Sequence, residues 1–165
     1  MHDFAVQQYK VAVSHELETE RKKFSNLENI LDDLIKDNER ANKRINEDNR
    51  RIDKAKDAIA VNRKEQETRA GEVAVQKETV RSLGHATGEE RDREEKKLKV
   101  LEKEKKKLEK QNEIFHTDIE ELESDIHKQE RKIVKNEDAQ KDKKEEIGSQ
   151  KETVKSIEKK LKNIN

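Results

Sequence analysis

The sequence predicts an all-α protein: a long coiled coil, favoured as a two-helix antiparallel hairpin with its turn near residues 84–88. Three observations carry that expectation: a composition too polar for a globular core, an apolar period of four and three, and one interruption at the middle. Of 165 residues, 28% are hydrophobic and 47% charged, with 39 basic residues balancing 39 acidic ones. Globular domains are about 45–50% apolar, so this chain cannot close a compact core over its length. Four Gly and no Pro leave too little turn chemistry for a series of β-hairpins. Long helices or disorder remain.

Periodicity decides between them. In the first element, 1–83, one track holds Leu17, Phe24, Leu31, Asn38, Ile45, Ile52, Ile59, Gln66, Val73 and Val80. Its companion track holds Val6, Val13, Glu20, Leu27, Leu34, Ala41, Asp48, Ala55, Asn62, Arg69, Gln76 and Leu83. A second series fills 89–165, with Leu98, Asn112, Ile119, Ile126, Ile133, Ile147, Val154 and Leu161 on one track. Leu101, Leu108, Phe115, Leu122, Ile157 and Ile164 lie on the other. Of the 47 apolar residues in the chain, 28 fall on these positions, which a disordered charge-rich chain has no reason to arrange. Heptads sustained this long, flanked by charge, predict coiled-coil helices.

Residues 82–91, SLGHATGEER, interrupt the pattern. Gly84 is suited to the left-handed conformation that closes a helix, and Thr87 with Glu90 has the spacing of a capping box. Gly88 adds a second helix-weakening residue. These signals predict a turn between two helices of roughly 75–80 residues, hence ~115–120 Å each. The alternative is one continuous helix in a parallel dimer, with Leu83, Thr87, Arg91, Glu94 and Leu98 forming a stutter.

Folding the chain so that facing residue numbers sum to 174 tests the hairpin. Asn62 then meets Asn112, Asn38 meets Asn136, Ala55 meets Ile119, and Ala41 meets Ile133. Buried amides prefer polar partners, and small-on-large layers fill space. Arg69 opposite Lys105 counts against this register. The four Asn are the candidate register- and partner-specifying residues, because a polar group at a core position trades stability for specificity. Gly71 and Gly148 fall on outer positions.

A repeat runs beneath the heptads. QKETVRSL at 76–83 returns as QKETVKSI at 150–157, an offset of 74, and the segments 16–83 and 90–157 share 24 of 68 residues. Residue frequencies alone give only ~6 matches for such segments. The QKETV block spans outer positions that packing does not fix, so an internal duplication is expected. Because 74 is not a multiple of seven, a break must separate the copies.

Chemistry is sparse. Without Cys there is no disulfide, thiolate zinc site or cysteine nucleophile. His2, His15, His85, His116 and His127 are dispersed, and none pairs with another at helical metal-site spacing. No phosphate loop or nucleophile elbow is present. The expectation is a protein that is not an enzyme, with no catalytic, cofactor-binding or metal residues and no small-molecule substrate. No apolar run approaches the ~20 residues of a membrane span, and no secretory signal is visible. Zero net charge disfavours nucleic acid as a partner. Protein partners, through helix pairing with itself or other chains, and a cytoplasmic or cytoskeletal setting are therefore expected.

In composition and heptad pattern the chain resembles the broad class of eukaryotic coiled-coil scaffolds in axonemes, centrosomes and chromosome-organising arms. That resemblance carries over no functional residue. Three roles follow: a rigid spacer, scaffold or filament component; an adaptor or tether using the central turn or Lys96–Lys110, where eight Lys crowd; and the arm of a larger cytoskeletal or chromosome-organising machine.

Overall fold

The computed structural model describes residues 2–84 and 88–164. They form two helices, α1 (His2–Ser82, 81 residues) and α2 (Gly88–Lys162, 75 residues), with no strand among the described residues. The helices pack against each other as an antiparallel hairpin, so the continuous parallel helix is not the fold adopted. Propensity alone leaves long charged helices marginal in water, and packing along an apolar stripe supplies what propensity lacks.

Every buried residue among those described lies on the two tracks read from the sequence. Val13, Leu17, Ala41, Ile52, Ala55, Ile59 and Val73 are buried on α1, with Asp48 beside them. On α2 they are Asn112, Ile119 and Ile157. Side chains spaced four and three apart stack on one helix face, so a narrow seam is all that each helix withdraws from water.

The chain divides into two compact units. Unit 1 comprises Met1–Arg44 and Lys128–Asn165. Its core joins Val13, Leu17 and Ile157, with Val154, Leu161 and Ile164 packed against them. Arg21 bridges to Glu158 at 3.1 Å, and the Gln140 amide donates to the Leu34 carbonyl at 3.4 Å. Leu34 and Gln140 sum to 174, as do Val13 with Leu161 and Leu17 with Ile157, so unit 1 holds the register expected.

Unit 2 is Ile45–His127. Its core clusters Ile52, Ala55, Ile59 and Ile119, with Phe115, Leu122 and Ile126 packed against them. Here too Ala55 with Ile119 and Ile59 with Phe115 sum to 174, the small residue making room for the large one. Each fully buried Ile or Leu contributes about 1.5–3 kcal/mol, so a few such layers per unit decide the register.

The end of α1 corrects one expectation. No described glycine has a positive φ, so Gly84 does not close the helix in the left-handed conformation. The last turn tightens instead. The Leu83 amide is shared between the Thr79 and Val80 carbonyls at 3.3 and 3.2 Å, and the Gly84 amide donates to Arg81 O at 3.2 Å. Such i→i−3 bonds satisfy carbonyls that a helix end would orphan. From α2, Arg91 Nη1 donates to Gly84 O at 3.2 Å, placing a cation at the negative end of α1. Thr87 of the expected capping box lies outside the described residues. Gly88 opens α2, and Glu89 and Glu90 stand in its first turn, where a carboxylate complements the helix dipole.

Gly71 and Gly148 sit on helix interiors facing open space, with nothing within 4 Å of an added Cβ and no positive φ. Each costs its helix about 1 kcal/mol relative to Ala. Gly71→Ala and Gly148→Ala are each expected to raise the melting temperature by about 2–4 °C in thermal circular dichroism. An unchanged or lower midpoint would contradict the outward placement.

Candidate functional site: the polar seam and the turn

The four expected Asn residues lie on the seam. In unit 1, Asn38 and Asn136 follow Leu34 and Gln140 by one turn toward each other, which sets them opposite one another. Asn38 Oδ1, an acceptor, and Asn136 Nδ2, a donor, are both buried without a hydrogen-bond partner. In unit 2, Asn112 is 7% exposed and its Oδ1 is likewise unpartnered, while Asn62 opposite it is half-buried. An orphaned buried amide atom costs about 1–3 kcal/mol. These layers therefore weaken the pairing where they sit, and any register that places an Asn against Ile or Leu is penalised further.

A second set of polar seam contacts was not legible from the sequence. Gln150 reaches across unit 1 to Glu20, its Nε2 donating to the backbone carbonyl at 2.9 Å and also to Oε2. Gln76 does the same to Glu94 in unit 2, again at 2.9 Å to the carbonyl and also to Oε2. Each Gln thus spends both amide protons on one Glu. Lys23 and Lys97 pair with the same carboxylates at 3.1 and 3.3 Å. These Glu side chains are only 17% and 21% exposed. The residue types announced polar core positions; the reach of a long side chain one turn along the partner helix was the part a facing-pair rule omits.

The expected clash of Arg69 with Lys105 does not occur. Arg69 turns its Nε to Glu104 at 3.0 Å and its Nη1 to Glu72 at 2.8 Å. In Lys96–Lys110 the seam-lining Lys105 is half-buried, and the other Lys residues are exposed.

One apolar feature lies off the seam. Val61 and Ile114 are 56% and 60% exposed and line an open groove in unit 2 with Ala58, Asn62, Gln111 and Phe115. Val75 and Val100 are also exposed, at 68% and 54%. Both pairs sum to 175, a signal that was present in the sequence as off-track apolar residues. No group of His, Cys, Asp or Glu among the described residues is arranged to hold a metal ion, and no described helix is long and apolar enough to cross a membrane.

The arrangement defines a class by fold alone: a helical hairpin with a polar-punctuated seam. Comparison with protein-family models, curated proteins and solved structures finds no match for this chain.

Two outcomes are expected. Replacing the facing pair by Asn38→Leu and Asn136→Leu stabilises the hairpin by about 1–3 kcal/mol in urea titration, because two orphaned amides are removed. The same variant admits additional registers when mapped by cysteine cross-linking; lower stability or a single register would contradict the role assigned. The second outcome concerns pH. The Gln150 hydrogen bond, then that of Lys23, holds the Glu20 carboxyl below its usual value of 4.5. Gln76 first, and Lys97 with it, does the same for Glu94 against the opposing effect of burial. A carboxyl depressed in the folded state stabilises above its unfolded value, and that contribution disappears as pH falls through the folded value. Stability should therefore drop below about pH 4. The variant carrying Glu20→Gln and Glu94→Gln should show a shallower acid loss in melting temperature, and an equally steep one would exclude these two groups.

Proposed function

We propose that the chain is a non-enzymatic structural protein, a spacer or scaffold whose seam selects its helical partner. The observation that supports this reading is the disposition of apolar surface: in each unit the buried residues form a seam between the helices, and the outer faces are mostly charged. Catalysis needs a water-excluding concavity with perturbed ionisable groups. The described grooves here are open, and the perturbed carboxyls, Glu20 and Glu94, are held by seam contacts. Polar seam residues are the device by which helix pairs choose register and partner, which fits a role in assembly.

An adaptor is the second reading, favoured by Val75 and Val100 standing exposed beside Lys96–Lys110. An exposed apolar spot beside a Lys-rich stretch suits an acidic protein surface.

Sedimentation velocity tests the scaffold. An asymmetric particle, with a frictional coefficient well above that of a sphere of 19.4 kDa, is expected at micromolar concentration. A compact spherical particle would overturn the spacer. Binding to an acidic surface that vanishes when the Lys residues of 96–110 become Gln would favour the adaptor instead.

A further inference from the structure

The two Gln–Glu clamps are related. Gln76 and Gln150 are 74 residues apart, and so are Glu20 and Glu94. The clamp in one unit takes its Gln from α1 and its Glu from α2; the clamp in the other takes its Glu from α1 and its Gln from α2. The same exchange relates the Asn layers, since Asn112 and Asn136 stand 74 residues beyond Asn38 and Asn62. A repeat whose contacts exchange roles in this way is the pattern left when two copies of one self-pairing helix become a single chain.

We infer that the seam of α1 is self-complementary: where α2 is displaced from it, it can receive the α1 of a second copy of this chain in antiparallel register. The register follows from two offsets. In the hairpin, residue i faces 174 − i on α2, and that position corresponds to 100 − i on α1. Residue i of one α1 therefore faces 100 − i of the other, about a centre between Asp48 and Ile52. Leu17 then meets Leu83, and Ile45 meets Ala55. Asn38 meets Asn62, preserving the amide layer on both sides of the centre. Glu20 comes within a turn of Gln76, so the clamp forms twice. Arg69 meets Leu31 and keeps its bridge to Glu72 on its own helix. The apolar layers, the Asn layer and the Gln–Glu clamp are all kept, each made between two copies of the same helix. The Arg21–Glu158 and Arg69–Glu104 bridges are not, since Gly84 and Ile30 stand 74 residues before those carboxylates. This inference is independent of the scaffold reading.

In the intact chain α2 outcompetes a second copy, because a short connection presents it at an effective concentration on the order of millimolar. Self-complementarity is therefore tested inside one chain. Residues 90–157 are replaced by the sequence of 16–83, the turn and both ends are kept, and probes are placed through Val13→Cys and Leu161→Cys, both outside the exchanged segment. A helical chain with the probes within about 10–15 Å, as in the parent hairpin, is expected. A helical chain with distant probes overturns the inference. Should the exchanged chain not fold, a second measurement decides. Full-length chains carrying Arg51→Cys, close to the α1–α1 centre, are mixed with chains carrying Asp125→Cys. They are then annealed at about millimolar concentration and oxidised. Disulfides joining position 51 of one chain to position 51 of another support the homotypic register. Links between position 51 and position 125 only, or no intermolecular link, overturn it.

Discussion

Everything in this protein depends on a shortage of apolar surface. With 28% hydrophobic residues, the chain can withdraw only a narrow stripe from water, and a stripe is stable only against another stripe. The spacing of four and three sets that stripe on one face of α1 and of α2, and the antiparallel pairing of α1 with α2 follows. Side-chain size then fixes the register. Ala55 accommodates Ile119, and Ile59 packs with Phe115, in layers that a shift of one turn would turn into gaps and overlaps.

Polar residues do the opposite work on the same seam. Asn38, Asn112 and Asn136 each leave one buried amide atom unpartnered, which weakens the pair where they sit. The role expected of them lies in the difference between pairings, because an Asn against an apolar residue loses more than an Asn against another Asn. The Gln–Glu clamps are satisfied where the Asn layers are not. Gln76 and Gln150 each spend two protons on one residue of the other helix, so they contribute affinity as well as register. Along α1 the satisfied clamps, at Glu20 and Gln76, stand outside the two Asn layers, at Asn38 and Asn62.

The fold was legible because its cause is one-dimensional: a period along the sequence becomes a face, and two faces become a register through a single sum. That arithmetic placed Ala55 with Ile119 and Asn38 opposite Asn136 from residue numbers alone. It failed where a side chain or backbone leaves the idealised layer. Arg69 escapes Lys105 by reaching Glu104 and Glu72, a freedom that long guanidinium stems have and a facing-pair rule ignores. Gly84 suited a left-handed cap, yet the helix end is satisfied by tightened i→i−3 bonds and by Arg91. A glycine permits a positive φ without requiring one. The carboxyls depressed by hydrogen bonds were illegible for the same reason as the clamps: Glu20 and Glu94 owe their environment to residues one turn beyond the facing position.

The duplicated pattern and the hairpin bear on each other. A repeat in a chain of this composition could arise from heptads alone, since core positions agree by necessity. Heptad agreement alone does not explain why Gln76 and Gln150 find their Glu partners on opposite helices, each at its counterpart's repeat position. An antiparallel arrangement of two similar helices produces that exchange automatically, whereas a parallel one would set each residue beside its own repeat equivalent. The clamp geometry and the sequence offset therefore agree on direction as well as register. The interrupted phase at the centre then has a physical role, since a turn between the copies lets each keep its own period while the seams meet head to tail.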